Sequence, residues 1–135
     1  MYQQMIFVNL ATDDVEASKK FFTELGYAIN PQFSTDECAC VVISDTIIAM
    51  LLSKQHYATF TKKEIADSTR TSEVLICLSA ESREKVDELV EKAVAAGGSA
   101  SGRTQDLGFM YGRSFDDLDG HTWEVVWMDP AAVQG

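Results

Sequence analysis

Residues 119–128 read DGHTWEVVWM, a turn followed by an apolar strand that contains one carboxylate. Asp119 and Gly120 are typical of a tight turn, and the residues after them alternate as they do in a half-buried strand. Glu124 lies inside this strand, where a carboxylate loses its hydration at a high cost unless something compensates it. We therefore expect Glu124 to have a hydrogen-bonding partner, a metal ion, or a cavity that holds water or a ligand.

The rest of the chain repeats one order of elements, a strand, an amphipathic helix and three further strands. The first half is predicted as strands 5–11, 27–33, 39–43 and 47–52 with a helix at 15–25. The second half is predicted as strands 74–79, 100–104, 109–115 and 121–128 with a helix at 82–96. The plan is βαβββ twice, about seventy residues apart.

This repeat predicts an α+β fold class, with residues 1–135 forming a single domain of two βαβββ modules. The first module is predicted at 1–53, a connector at 54–72 and the second module at 73–130. Since one helix covers only one face of each sheet, we expect the half-sheets to form a curved mixed sheet with a concave trough. Such a trough is a natural small-molecule pocket, and the aromatic connector is a candidate lid.

Composition excludes several classes of protein. The formal charge is −10, with 11 basic against 21 acidic residues, which disfavours binding to nucleic acid. No apolar stretch has the length of a membrane helix, and residues 1–4 do not resemble a leader, so we expect a cytoplasmic protein without a membrane partner. The three cysteines are expected to be reduced, with Cys38 and Cys40 on one face of a strand as core thiols.

Four stretches of this chain resemble the vicinal oxygen chelate superfamily, which includes glyoxalase I, extradiol dioxygenases and bleomycin-resistance proteins. They are NLATDD at 9–14, FFTELGY at 21–27, AAGG at 95–98 and FDDLDGHTWE at 115–124. The last is the most specific, because it is similar to the family's Asp-Pro-Asp-Gly-x-x-x-Glu ending. Leu118 stands where the family commonly has proline. The resemblance implies the paired-module fold and a homodimer.

The resemblance also implies four metal-ligand positions, and this chain departs from them. Glu124 matches the fourth position, whereas Phe7 falls at the first, Leu75 at the third and Met50 near the second. Phenylalanine, leucine and methionine are not ligands for a hard or borderline divalent cation. We therefore predict no metal cofactor and no standard glyoxalase I activity, with a divalent metal as the alternative. The resemblance is stronger to the branch that binds small molecules.

Strand alternation predicts which side chains line the trough. Glu124 is the candidate catalytic or ligand-contacting carboxylate. Alternation gives Phe7, Asn9, Met50, Leu52, Leu75 and Cys77 as predicted ligand-binding residues. Tyr111 joins them from a second candidate wall at 105–113, where aromatic side chains could supply apolar contact. Because most of these side chains are apolar, the predicted ligand is an aromatic or amphiphilic small molecule. The predicted function is a glyoxalase-like or bleomycin-resistance-like binding protein.

Other interpretations of the same residues stay open at this point. Glu124 could be a structural carboxylate hydrogen-bonded to Tyr111 or Arg113, or the base or metal ligand of a lyase, isomerase or dioxygenase-type enzyme. A third alternative is a scaffold whose own side chains fill the trough. Trp123 and Trp127 are predicted to pack against helices, on the side of the strand opposite Glu124. Cys77, in an apolar strand, is predicted to be inert packing instead of a nucleophile.

Overall fold

The structure, a computed structural model, describes residues 1–132. It divides into two compact units, residues 1–67 and the residues from 68 onward. This division falls inside the predicted connector 54–72. Among the described residues, no helix is both long enough and apolar enough to cross a membrane.

The first unit is built on one mixed four-stranded sheet. Its strands are β1 (Ile6–Thr12), β2 (Ala28–Ile29), β3 (Cys38–Val42) and β4 (Ile47–Ser53), and they lie in the order β1-β4-β3-β2. β1 and β4 are parallel, and the other two pairs are antiparallel. Helix α1 (Val15–Glu24) lies in the connection between the parallel strands, as such a connection requires. A single turn of helix, α2 (Lys54–Tyr57), follows β4.

Local chemistry sets the ends of α1, and burial sets its orientation. Asp14 Oδ1 accepts a hydrogen bond from the backbone N–H of Ala17 at 3.0 Å, which caps the helix. Gly26, with φ of 106°, follows its C-terminal end. The helix packs on β2, β3 and β4 through one buried face, formed by Val15, Ser18, Phe21 and Phe22.

The second unit repeats the plan of the first. Its strands are β5 (Ile76–Ser79), β6 (Ser99–Asp106), β7 (Met110–Asp116) and β8 (Thr122–Met128), with helix α3 (Arg83–Ala95) after β5. The strand order is β5-β8-β7-β6, and β5 and β8 form the parallel pair. Both units therefore have the βαβββ order, and the predicted α+β fold class is confirmed.

The core of the second unit lies between α3 and its sheet. Val86, Val90 and Ala93 on the helix are fully buried, as is Phe115 on β7. The rings of Phe115 and Trp123 stack with their centroids 6.4 Å apart. Trp123 is thus a core residue, as the sequence predicts. The opposite side of the same sheet does not pack against α3.

Two predicted strands are wrong in part. The sequence predicts one strand at 27–33, but only Ala28–Ile29 pairs, and Pro31–Phe33 forms a 3-10 turn. The Asn30 side chain accepts from the Gln32 N–H at 2.9 Å, and Pro31 has no N–H for a ladder, so both residues favour the turn. The strand predicted at 74–79 begins at Ile76, which leaves Leu75 outside it.

Candidate functional site

The sheet of the second unit has two chemically different faces. Phe115, Trp123 and Val125 are buried on the face that packs on α3. The strand register places a second set of side chains on the opposite face, here called the open face: Cys77, Ser79, Met110, Ser114, Glu124, Val126 and Met128. A cleft of about 310 Å³ lies against this face.

Glu124 is the acidic side chain of this cleft. It lies on β8 directly opposite Cys77 of β5 and Ser114 of β7. The residue is half-buried, yet within residues 1–132 its side chain takes part in no hydrogen bond or salt bridge. A partly desolvated carboxylate without a partner is available to a hydrogen-bond donor or a cation from outside the module.

Tyr111 and Arg113 do not partner Glu124, which corrects the structural interpretation of that carboxylate. The Tyr111 hydroxyl donates to Asp87 Oδ1 at 2.7 Å, and Arg113 Nη1 donates to the same oxygen at 3.0 Å. These two hydrogen bonds hold the pKa of Asp87 below its usual range, and the bond from Tyr111 has the larger effect. Since Asp87 is on α3, both side chains lie on the helix-facing side of the sheet. Tyr111, predicted as a ligand-binding residue, therefore lies on the side of the sheet opposite Glu124, and its role in binding stays a prediction.

The strand register explains why Tyr111 and Arg113 lie on the side opposite Glu124. Ser114 is the residue of β7 that pairs with Glu124, so Arg113 and Tyr111 have the opposite parity and point away from it. No sequence pattern pointed to Ser114 as a residue of this site. It is buried beside Glu124, and its hydroxyl donates a hydrogen bond to the carbonyl of Ser101.

Cys77 has the exposure of a reactive thiol but not the electrostatics. Partial burial of the sulfur raises its pKa, and the negative charge of Glu124 raises that pKa further. A thiol with a raised pKa is mostly protonated at neutral pH and is a poor nucleophile. These electrostatics favour the interpretation of Cys77 as a contact residue over that of a nucleophile. Cys38 and Cys40 are buried, as predicted.

The electrostatic link between Cys77 and Glu124 gives a testable expectation. We expect iodoacetamide to alkylate Cys77 about twofold faster in Glu124→Gln than in the unmodified protein at pH 8, because removing the charge increases the thiolate fraction. Peptide mass spectrometry separates Cys77 from the two buried thiols. Glu73→Gln, at an exposed position outside the cleft, is the matched control and should leave the rate unchanged. Equal rates in all three proteins would mean that the carboxylate does not approach the thiol.

The predicted contact residues of the first unit share one side of its sheet. Phe7 pairs with Ile48, Asn9 with Met50 and Ala11 with Leu52, so these side chains lie on the side opposite the buried Thr12 and Leu10. Phe7 is 57% exposed and Asn9 is exposed, whereas Met50 is half-buried and Leu52 is buried. Leu75, in the second unit, is 54% exposed. Their role in binding stays a prediction, as does the trough that would join them to Glu124.

A buried carboxylate, Asp117, organises the turn that leads into β8. Asp117 Oδ1 accepts from the backbone N–H groups of Asp119 and His121, both at 3.0 Å, and Oδ2 accepts from Trp123 Nε1 at 3.0 Å. Its burial raises its pKa. At Gly120 φ is 87°, and a Cβ there would lie 2.8 Å from the carbonyl oxygen of Ser68. The turn is therefore fixed from both sides, and with it the start of the strand that carries Glu124.

Comparison with known proteins agrees with this architecture. A family model described as bleomycin resistance protein-like N-terminal matches residues 4–44. A hypothetical protein from S. aureus is 31% identical over 94% of each chain, with a TM-score of 0.78. A glyoxalase-related enzyme from Fulvimarina pelagi is 24% identical, covering 93% of this chain and 88% of its own, with a TM-score of 0.76.

A third similar structure is a glyoxalase/bleomycin resistance protein/dioxygenase family enzyme from Burkholderia phytofirmans. It is 16% identical over 93% of this chain and 99% of its own, with a TM-score of 0.75. The chain thus shares the fold of the glyoxalase/bleomycin resistance/dioxygenase proteins, and its residues 4–44 are similar to the bleomycin resistance protein-like N-terminal family. No curated protein sequence matches it significantly.

The residues of this chain do not fit the metal centre of the vicinal oxygen chelate superfamily, which the sequence resembles. Of the four implied positions, Glu124 alone carries a donor that a divalent cation prefers, because the others are Phe7, Met50 and Leu75. In the described part of the chain, Glu124 belongs to no group of three or more His, Cys, Asp or Glu side chains close enough to share an ion. One carboxylate is too few for a tight site.

A group of three potential donors does occur elsewhere, in the turn before β8. The ligand atoms of Asp117, Asp119 and His121 lie within 4.8 Å of one another. Asp117 already accepts three hydrogen bonds, so its carboxylate serves the turn itself. These hydrogen bonds account for the geometry of the turn without a metal ion.

A larger hollow of about 550 Å³ lies along the outer side of α3, but its chemistry is that of a solvated helix surface. It is lined by helix residues alone, among them Glu84, Glu88 and Lys92. Lys92 Nζ pairs with Glu88 Oε1 at 3.0 Å on this surface. The smaller cleft at Glu124 is the better candidate site, because strand side chains of different chemistry converge there.

Proposed function

We propose that this protein binds a small amphiphilic or aromatic molecule at the cleft of the open face, without the metal centre of its superfamily. The observation that carries the proposal is the Glu124 carboxylate, half-buried in that cleft and without a hydrogen bond or salt bridge within residues 1–132. A ligand donor would replace the hydration that the carboxylate has lost. Met110, Val126 and Met128 supply adaptable apolar contact around it.

The relatives support a binding role and leave catalysis open. The family model that matches residues 4–44 describes bleomycin-resistance-like proteins, whereas two similar structures are described as enzymes. The residues of this chain favour binding, because the implied metal ligands are apolar and the thiol next to Glu124 has a raised pKa. The exposed Cys77 and Met128 side chains favour an accessible cleft over the scaffold alternative.

A thermal-shift screen of aromatic and antibiotic compounds tests the proposal. A compound present at about one hundred times its dissociation constant should stabilise the folded protein by about 2.7 kcal/mol and raise the melting temperature by about 10 °C. We expect Glu124→Gln to abolish most of this shift, and Glu73→Gln, at an exposed position outside the cleft, to retain it. A library that produces no shift, or a shift that persists unchanged in Glu124→Gln, would contradict binding at this cleft.

The same samples separate the alternatives. Chromatography after incubation shows whether a stabilising compound is consumed, which would assign the enzyme interpretation. Calorimetric titration with zinc, nickel or manganese tests the metal, and stoichiometric binding that disappears in Glu124→Ala would overturn the metal-free part of the proposal. The homodimer and the cytoplasmic location stay predictions, and light scattering of the purified protein tests the first of them.

A further inference from the structure

A bulge in β6 presents an arginine at the cleft. Ser101 pairs with Ser114 and Gln105 with Gly112, so the segment 102–104 stands opposite the single residue Arg113. Extra residues in one strand bend it and redirect its side chains. Arg103 is the middle residue of this segment and lines the same cleft as Glu124.

The backbone beside Arg103 is held in place by its neighbours. Gly102 has φ of 64°, and a Cβ on it would lie 2.6 Å from Ser114 Oγ. The chain therefore passes against the buried Ser114 as closely as glycine allows. At the far end of the strand, Arg83 donates to both carboxylate oxygens of Asp106, at 2.9 and 2.8 Å. The strand that carries Arg103 is thus anchored on both sides of the bulge.

Two charged groups near Arg103 form their hydrogen bonds with other residues. Asp106, the acid of the same strand, is engaged by Arg83, which lowers the pKa of Asp106 to about 2. Arg113 has its guanidinium on the other face, at Asp87. In the described part of the chain, the Arg103 side chain makes no hydrogen bond or salt bridge. Two residues whose charged groups have no partner within the described residues, Arg103 and Glu124, therefore line one cleft.

We propose that Arg103 is the anion-binding residue of this cleft, so that the ligand is an amphiphile with an acidic group for Arg103 and an amine or other donor for Glu124. This inference rests on the proposed function and narrows its ligand class. The planar guanidinium matches a carboxylate or phosphonate through two parallel hydrogen bonds. The net charge of −10 disfavours anion binding in general, so an anion in this cleft would be held by a local cation.

Three probes with one phenyl skeleton test the inference: 3-phenylpropionate, 3-phenylpropylamine and 3-(4-aminomethylphenyl)propionate. Binding is followed by amide chemical shifts in two-dimensional NMR at up to about 10 mM probe. We expect the bifunctional probe to shift the resonances of Cys77, Gly102 and Glu124. Arg103→Gln should weaken this probe and 3-phenylpropionate about tenfold, and leave 3-phenylpropylamine unchanged. Arg70→Gln, an equal charge change at an exposed position outside the cleft, is the matched control.

The outcomes separate the two proposals. If 3-phenylpropylamine binds in a Glu124-dependent way but Arg103→Gln changes neither acidic probe, the anion-binding role is wrong and the cleft remains a binding site. If Arg70→Gln weakens the acidic probes as much as Arg103→Gln does, long-range charge explains the effect and the inference also fails. If none of the three probes shifts a cleft resonance, the result contradicts both proposals.

Discussion

Replacing Asp117 by alanine is expected to lower the free energy of unfolding by about 3–5 kcal/mol, a large share of the stability of a chain of this size. The carboxylate is buried and accepts from two backbone N–H groups and from the indole of Trp123. Alanine leaves all three donors without an acceptor in a place that water reaches poorly. Each unsatisfied donor costs about 1–3 kcal/mol, and partial relaxation of the turn recovers some of the sum.

Chemical denaturation followed by tryptophan fluorescence measures this effect, because both tryptophans lie on β8. Asp116→Ala is the matched control, since the neighbouring Asp116 is half-buried and accepts one hydrogen bond, from the Thr122 hydroxyl at 2.7 Å. We expect the control to lose about 1 kcal/mol. Asp117→Asn should fall between the two, because the amide retains one acceptor oxygen. Equal losses at positions 116 and 117 would contradict the role of Asp117 as the centre of the turn.

Gly120→Ala is expected to cost about 2–4 kcal/mol, and the comparison with Gly108→Ala separates its two causes. Both glycines have positive φ, 87° and 82°, so both substitutions place a Cβ in the left-handed region. At Gly108 nothing lies within 4 Å of the new atom, whereas at Gly120 it would meet the carbonyl oxygen of Ser68 at 2.8 Å and Thr69 Cα at 2.9 Å. The backbone of residues 68–69 cannot yield as a flexible side chain can.

We therefore expect Gly108→Ala to lose about 1–2 kcal/mol, the conformational part alone, in the same denaturation experiment. The loss of stability in Gly120→Ala beyond that in Gly108→Ala measures how firmly residues 68–69 pack on the turn. Ser68 Oγ also donates to the Asp119 carbonyl there, at 2.6 Å. If the two variants lose equal stability, that packing contributes nothing and the segment moves aside.

The two long helices, α1 and α3, are predictable from sequence to within a few residues because their signals are local, whereas the single turn α2 lies in the predicted connector. The helix predicted at 82–96 is observed at Arg83–Ala95, with the Ser82 side chain accepting from the Lys85 N–H at 3.1 Å. Gly97, with φ of 111°, follows its end as a C-terminal signal does. The strand predicted at 27–33 failed for a local reason too, because the side chain of Asn30 and the ring of Pro31 favour a turn.

The faces of strands were less predictable, because a face depends on the partner strand. Alternation correctly placed Cys77 on the side of Glu124 and Trp123 on the opposite side. It could not give the parity of β7, since that parity follows from the pairing of Ser114 with Glu124 across the sheet. The side on which Tyr111 lies was therefore not predictable, and its partner Asp87, 24 residues away on α3, had no signal in the sequence.

The sequence by itself determined the repeated βαβββ order, the resemblance to the vicinal oxygen chelate superfamily and the presence of Glu124 at the end of a specific turn motif, because periodicity, capping and short motifs act between residues close in the chain. The tertiary structure alone decided that Glu124 lacks a partner within the described residues and that Arg103 lines its cleft. Both facts depend on which distant groups engage the neighbouring charges, namely Asp87 with Arg113 and Asp106 with Arg83. Such pairings are chosen by register and helix packing, which no local pattern encodes.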